Sequence, residues 1–259
     1  MIRSLWTAAS GMGAQKLHLD VIANNLSNVN TGGFKKSRAD FADLLYQNLK
    51  SPGATTSAGG EIPTGIQVGM GTKPVSVQKI FSQGDYVQTK NELDLAIEGK
   101  GFFQVLSNGE ELYTRSGSFK VDNEGFIVTS EGDRLQPEFA IPENTVNLTI
   151  DSGGNMVALG PDGTELDSTQ LTLHNFPNPA GLLSIGGNRF RPTEASGDPV
   201  EGNPGVDGMG TVSQGYLEMS NVDVVEEMVN MITGQRAYEA ASKSIKTADE
   251  MLQMVNNLK

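Results

Sequence analysis

Ser76 and Lys79 stand at the Ser-x-x-Lys spacing in which an amine can take the proton of a serine nucleophile. No companion motif accompanies them, and their segment alternates in polarity like a strand, so the pair reads as ordinary strand surface. Glu98-Gly99-Lys100-Gly101 holds the Gly-Lys step of a phosphate cradle without the preceding loop or the following hydroxyl. Gly69-Met70-Gly71-Thr72-Lys73-Pro74 begins like a dinucleotide loop, but Pro74 stands where the third glycine belongs and no helix is expected behind it. Asp122, Glu124, Asp162 and Asp167 fall in turns whose spacing does not match a calcium loop, which leaves them as solvated turns. Asn25-Leu26-Ser27 and Asn147-Leu148-Thr149 carry the glycosylation spacing, the first inside a helical seam, and both are set aside. His174, between Leu173 and Phe176 on an expected strand, reads as a partly buried structural residue, and Trp6 as a packing residue or a subunit contact. This assigns no catalytic residue, no cofactor and no metal site: the chain is read as a non-enzyme.

Composition points the same way. Among 259 residues there is no cysteine, which removes disulfides, thiolate nucleophiles and thiolate metal sites, and only two histidines are present. No run approaches the ~20 apolar residues of a transmembrane helix. The start Met1-Ile2-Arg3-Ser4-Leu5-Trp6 resembles a secretory signal but lacks its continuous apolar centre, so a retained amphipathic helix is expected. The net charge of −12 is concentrated in residues 85–167, with sixteen acidic residues against five basic ones. An acidic body argues against a nucleic-acid partner.

The elements that must position any function lie at the two ends. Met1, Leu5, Ala8, Met12, Gln15, Leu19, Ile22, Leu26 and Val29 recur at alternating steps of four and three; Tyr238, Ala241, Ile245, Ala248, Leu252 and Val255 do the same with the steps reversed. A 3.5-residue repeat keeps one helical seam facing a partner over several turns. The first helix is expected from Ile2 to Val29, stopped by Asn28-Val29-Asn30-Thr31-Gly32-Gly33. A shorter helix is expected over Ser37–Leu49, with Phe41, Leu44 and Leu45 on one face. Ser51 to Thr64 has a linker's composition, ordered only if another subunit covers it. From Gly65 to Leu217 a period of two prevails, with Asn108-Gly109, Asn123-Glu124-Gly125 and Pro161-Asp162-Gly163 as turns, which indicates antiparallel strands. The last helix is expected after Ser220, with Asn221 as its cap and Asp223, Glu226 and Glu227 in its early turns. It would run about 50 Å, longer than a small β domain needs.

The fold class is therefore α+β: long N- and C-terminal helices pairing as a coiled-coil-like domain, with a mainly antiparallel β middle domain. The expected division is 1–45 plus 217–259 as a discontinuous helical domain, 46–68 as an insertion or linker, and 69–216 as a β-rich domain. Exposed seams are a liability in a monomer, and a head-to-tail contact that does not close generates a helical filament. The seam residues singled out for assembly are Leu5, Met12, Leu19, Ile22, Leu26, Val29, Tyr238, Ala241, Ile245, Ala248, Leu252 and Val255.

Longer motifs add a resemblance. Ala9-Ser10-Gly11-Met12-Gly13-Ala14-Gln15 and Leu19-Asp20-Val21-Ile22-Ala23-Asn24-Asn25-Leu26-Ser27-Asn28-Val29-Asn30-Thr31-Gly32-Gly33-Phe34-Lys35 resemble the N-terminal signature of bacterial flagellar rod and hook proteins. Ser220-Asn221-Val222-Asp223 with Glu226–Ile232 and Gln235-Arg236-Ala237-Tyr238-Glu239 resembles their C-terminal signature. Ile97–Val105 and Tyr113–Phe119 resemble their middle domain. Within that axial family the likeness is nearest the distal-rod branch, whose distinguishing insertion corresponds to Tyr46, Gln47, Pro52 and Gly53 through Ile62 and Pro63. The Gly-rich tip Ala58-Gly59-Gly60 departs from it.

The resemblance implies a structural subunit that self-assembles into a rigid hollow drive shaft transmitting torque from motor to hook. The terminal helices would line the tube, the acidic β domain would face outward, and the insertion would lock neighbours against sliding. Implied partners are the chain itself, proximal rod proteins, the hook protein, the P- and L-ring proteins and the flagellar type III export apparatus. The implied place is the basal body, from the periplasm to the outer membrane, reached without a cleaved signal peptide. A proximal rod or hook subunit of the same family is the alternative; a secreted β-rich binding module is the alternative of a different class.

Overall fold

α1 (Ile2–Ser27) contains no proline, and a turn closed by the Thr31 N–H on the Asn28 carbonyl at 3.1 Å follows it, so it stops two residues before the expected Val29. The computed structural model describes residues 2–50 and 63–257. These form two units: one of Met1–Leu26, Ser37–Gln78 and Val224–Lys259, the other of Ser27–Lys36 and Lys79–Asp223.

In the first unit α1 is accompanied by β1 (Ser37–Asp43), β2 (Tyr46–Lys50), β3 (Ile66–Gly69), β4 (Thr72–Lys79) and α2 (Val224–Asn257). β1 pairs with β4, and β2 pairs antiparallel with β3, Tyr46 opposite Gly69 and Lys50 opposite Ile66. The helix expected over Ser37–Leu49 is therefore two strands. The Asn25 side chain takes both backbone groups of Ser37 at 2.9 Å, and the Leu44 N–H donates to the Gly71 carbonyl at 2.8 Å. Backbone groups satisfied by distant segments are lost to a local helix. The expected linker Ser51–Thr64 joins β2 to β3; its residues 51–62 lie outside the described residues.

α2 begins at Val224, after the expected cap Asn221. Asn221 is engaged elsewhere: its Oδ1 accepts the Lys36 N–H at 2.7 Å, and its Nδ2 donates to the Ile80 carbonyl at 2.9 Å and the Ser82 carbonyl at 3.1 Å. Glu226 and Glu227 occupy the first turn, where carboxylates complement the helix dipole.

The second unit is the antiparallel β body. It comprises β5 (Tyr86–Gln88), β6 (Leu95–Glu98), β7 (Phe103–Ser107), β8 (Glu110–Thr114), β9 (Phe119–Val121), β10 (Ile127–Thr129), β11 (Arg134–Gln136), β12 (Asn147–Ile150), β13 (Asn155–Leu159), β14 (Glu165–Gln170), β15 (Leu173–Asn175), β16 (Leu183–Gly186), β17 (Arg189–Arg191), β18 (Val200–Gly202), β19 (Thr211–Gln214) and β20 (Tyr216–Glu218). Seven strands form one sheet in the order β16-β17-β8-β7-β11-β10-β9; β12-β13-β14 form a second, and β15 pairs with β18, β19 with β6, and β20 with β5. Asn108 and Gly109 link β7 to β8 with φ of 51° and 84°, the two left-handed positions of a tight hairpin. Phe103, Val105, Phe119, Leu135, Met156 and Leu173 belong to the main buried core. A second cluster stacks Phe102, Tyr113, Phe176 and Phe190 edge to face, centroids 4.9–6.1 Å apart where they meet.

The boundaries of the two units differ from the expected ones. Residues 27–36 and 217–223 belong to the β body: the Gly33 N–H donates to the Glu218 carbonyl at 2.8 Å, and a Cβ on Gly33 (φ 71°) would lie 2.6 Å from the Ser116 nitrogen. Residues 69–78 belong to the helical unit, because β4 pairs with β1.

Candidate assembly interface

The helices touch where a side chain is missing. A Cβ on Gly234 would sit 3.1 Å from Leu19 Cδ2 and 3.7 Å from Gln15 Oε1, so α1 and α2 approach closely at this turn. Lower down, Asn25 Nδ2 lies 3.4 Å from Glu227 Oε2, both residues buried. Of the expected seam, Ile22 and Ala248 are buried, Leu5, Met12, Leu19, Leu26, Ala241 and Ile245 half-buried, and Tyr238 and Leu252 exposed. Val29 lies beyond the helix in the β body, half-buried, and the Val255 side chain lies outside the described residues. A second face of α1 carries Ala14, Val21 and Asn25, with His18 edge-on to Phe41 at 6.0 Å; Ser10 Oγ accepts the Thr72 N–H at 3.3 Å. The seam reading missed that face because α1 meets strands there as well as α2.

Apolar burial is very uneven. Among the described residues of the helical unit only Ala14, Val21, Ile22 and Ala248 are buried apolar side chains, whereas the β body holds all the others. The same unit exposes Trp6 (70%), Val225, Met228, Val229 and Ile232 on its helices and Leu45 (88%), Tyr46, Leu49 and Ile66 on or beside β2 and β3. Among the described residues nothing packs over most of Trp6. Of the insertion residues, Tyr46 and Gln47 are on exposed β2 and Pro63 precedes β3; Pro52, Gly53 and Ile62 lie outside the described residues. The Tyr46 ring lies along Gly69, where a Cβ would be 3.3 Å from its Cε1.

The chain stretches that continue into the two helices are tied together inside the β body. Glu218 Oε1 accepts from Lys35 Nζ at 2.6 Å and from the Gly84 N–H at 3.0 Å, and Oε2 accepts from Arg115 Nε at 2.6 Å. All three side chains are buried. Lys35 also donates to the Ser82 carbonyl at 2.8 Å; Arg115 donates to the carbonyls of Ile97 at 2.9 Å, Gly99 at 2.5 Å and Gly101. Burial pushes the Glu218 carboxyl up, but the Arg115 guanidinium, the Lys35 ammonium and the Gly84 N–H outweigh it and hold it below the ordinary range. Lys35 and Arg115 lay inside motifs quoted above, yet the sequence reading gave them no role; a cation beside Gly33-Phe34 and another between Tyr113-Thr114 and Ser116-Gly117 were the available signals.

The groups screened for chemistry are otherwise engaged. Ser76 Oγ bonds Asp40 Oδ2 at 3.2 Å, while Lys79 Nζ lies 4.8 Å over the Phe34 ring and 3.3 Å from the Lys35 carbonyl. His174 is buried on β15 with the Tyr113 ring 5.3 Å away; burial pulls its pKa down against the pull of Glu201 and Glu111. Among the described residues no three His, Asp or Glu side chains gather as a metal site, and no helix is long and apolar enough to cross a membrane.

Three family models match the chain: flagella basal body rod protein over residues 5–35, the flagellar hook protein FlgE/F/G D1 domain over 96–158, and the flagellar basal body rod FlgEFG protein C-terminal region over 213–258. The flagellar basal-body rod protein FlgG of Buchnera aphidicola subsp. Schizaphis graminum is 47% identical over 260 residues, 100% of both chains. That of Borreliella burgdorferi is 48% identical over 263 residues, 100% of this chain and 99% of the relative. The chain belongs to the FlgG family of flagellar basal-body rod proteins. FlgG of Caulobacter vibrioides is 47% identical over 262 residues, 100% of both chains. The buried triad draws one residue from each of the three matched family regions, Lys35 from the first, Arg115 from the second and Glu218 from the third. The family places the chain in the flagellar basal body as a rod protein.

Proposed function

We propose that this chain is a subunit of the distal rod, polymerising into a rigid hollow shaft that carries torque from motor to hook. One observation carries the reading: the helical unit buries few apolar side chains of its own while presenting a broad apolar surface. Covering that surface with further copies stabilises it at roughly 25 cal/mol per Å². The seam from Leu5 to Leu26 and from Tyr238 to Val255 pairs the helices in coiled-coil fashion within the tube's inner layer, with Trp6, Val229 and Ile232 meeting neighbouring copies. The insertion (Tyr46, Gln47, Pro52, Gly53, Ile62, Pro63) bridges subunits through the β2–β3 ribbon, whose exposed Leu49 and Ile66 support this role.

In this reading the two helices act as the polymer's inner domain, residues 46–68 as the lock and the β body as the outer domain. The chain is structural and not catalytic. Its partners are its own copies, proximal rod proteins below, the hook protein above, the P- and L-ring proteins around it, and the type III export apparatus that delivers it. Electron microscopy of concentrated protein tests the proposal: the full chain forms tubes, and a chain lacking residues 1–30 does not. Tubes of normal diameter from the truncated chain would overturn it. Deleting residues 51–62 should leave a polymer that bends more readily.

A further inference from the structure

Beside the buried triad lies a pocket of about 200 Å³, entirely within the β body. Lys35, Arg115 and Lys100 line it, and among the described residues no carboxylate does, in a chain of net charge −12. Glu218 neutralises one of the two buried cations and leaves a surplus positive charge in a low-dielectric setting, where an uncompensated ion is costly. Donors are also left over. Two of the three Lys35 N–H groups go to Glu218 and Ser82, and four of the five in Arg115 go to Glu218, Ile97, Gly99 and Gly101. Phe81, Phe102 and Phe176 form the apolar wall. A cavity of about 150 Å³ already accommodates benzene, so the space suits a small organic group.

We propose that this pocket binds a carboxylate carried on a short apolar stem, either a free organic acid or an acidic side chain from a second copy of the chain. The charge selects an anion, and the phenylalanine wall favours an organic acid over a hydrated inorganic ion. The binding site stands on the β body's own geometry; only its supply by a second copy rests on the polymer reading.

Phenylacetate is the probe, titrated into the full-length monomer and followed by amide chemical shifts. Saturable shifts at Gly99, Gly101 and Asn175 are expected, with half-saturation near ~1 mM, the affinity scale of fragment-sized ligands. Lys35→Met abolishes them. Should that variant fail to fold, exposed Lys100→Gln weakens binding on the order of threefold, the scale of a surface ion pair. Equal binding of the neutral phenylacetamide, absence of saturable shifts up to about 20 mM phenylacetate, or unchanged affinity in Lys100→Gln would overturn the assignment. A second arm identifies the source. Inhibition of polymerisation in proportion to occupancy assigns the carboxylate to a neighbouring copy, and undisturbed polymerisation at saturation assigns it to a free acid.

Discussion

Lys35 and Glu218 stand 183 residues apart in the chain, yet Nζ and Oε1 meet at 2.6 Å with each side chain about 1% exposed. Lys35 follows the first helix and Glu218 precedes the second, so the pair holds the two connections side by side inside the β body, with Arg115 braced on three carbonyls behind them. A drive shaft loaded through its helices would pass force along these same two stretches of backbone. Glu218→Gln keeps the shape and removes the charge, leaving two buried cations unpaired. It should destabilise the β body by about 3–5 kcal/mol in urea unfolding, the cost of breaking a buried ion pair from one side.

The same carboxylate sets an acid limit. Its folded pKa lies below the ordinary 4.5, so the folded state stays ionised where the unfolded chain already takes up a proton. Its contribution is complete above about pH 4.5 and is lost as pH falls through the lower folded value. Urea midpoints measured from neutral pH downward should show the wild type losing its advantage over Glu218→Gln across that window.

His174 adds a second acid-side limit, nearer neutrality. Both ring nitrogens are buried without a hydrogen-bond partner among the described residues, and burial holds the folded pKa below the ordinary 6.5. The unfolded chain therefore takes up the proton first as pH falls, and stability drops below about pH 6.5. His174→Phe keeps a ring against Tyr113 and removes two unsatisfied polar atoms. It should raise stability at neutral pH by about 1 kcal/mol and flatten the slope between about pH 5.5 and 7.5.

Gly234 and Leu19 make a size-exchange test of the helix contact. Gly234→Leu drives a side chain into Leu19 Cδ2, only 3.1 Å from the nearest possible Cβ. Polymer formation followed by sedimentation should fall, and Leu19→Ala in the same chain should restore part of it. A second-site recovery of this kind distinguishes direct contact from a general loss of helix stability.

Trp6→Ser and Val229→Asp probe surface left open among the described residues. Neither should change monomer unfolding by more than about 0.5 kcal/mol, as is usual for exposed sites. Both should block tube formation in electron microscopy. Monomer destabilisation of several kcal/mol instead would mean that these side chains pack within the chain.

How much was legible follows the reach of each interaction. The terminal helices were readable because a 3.5-residue stripe without proline is a local property, and Asn108-Gly109 announced its hairpin through left-handed propensity alone. Ser37–Leu49 was misread as a helix, since Phe41, Leu44 and Leu45 carry a helix-like spacing while Asn25 and Gly71 supply the hydrogen bonds that make it strand. Asn221 looked like a cap and became a brace for Lys36 and Ile80. Two amphipathic ends around a stranded middle follow from residue order alone, because periodicity and turn chemistry act over a few residues. That Lys35, Arg115 and Glu218 share one buried site emerges only in the fold, because residues this far apart along the chain meet only once the β body has closed, and the cost of taking their charges out of water is offset only by their pairing there.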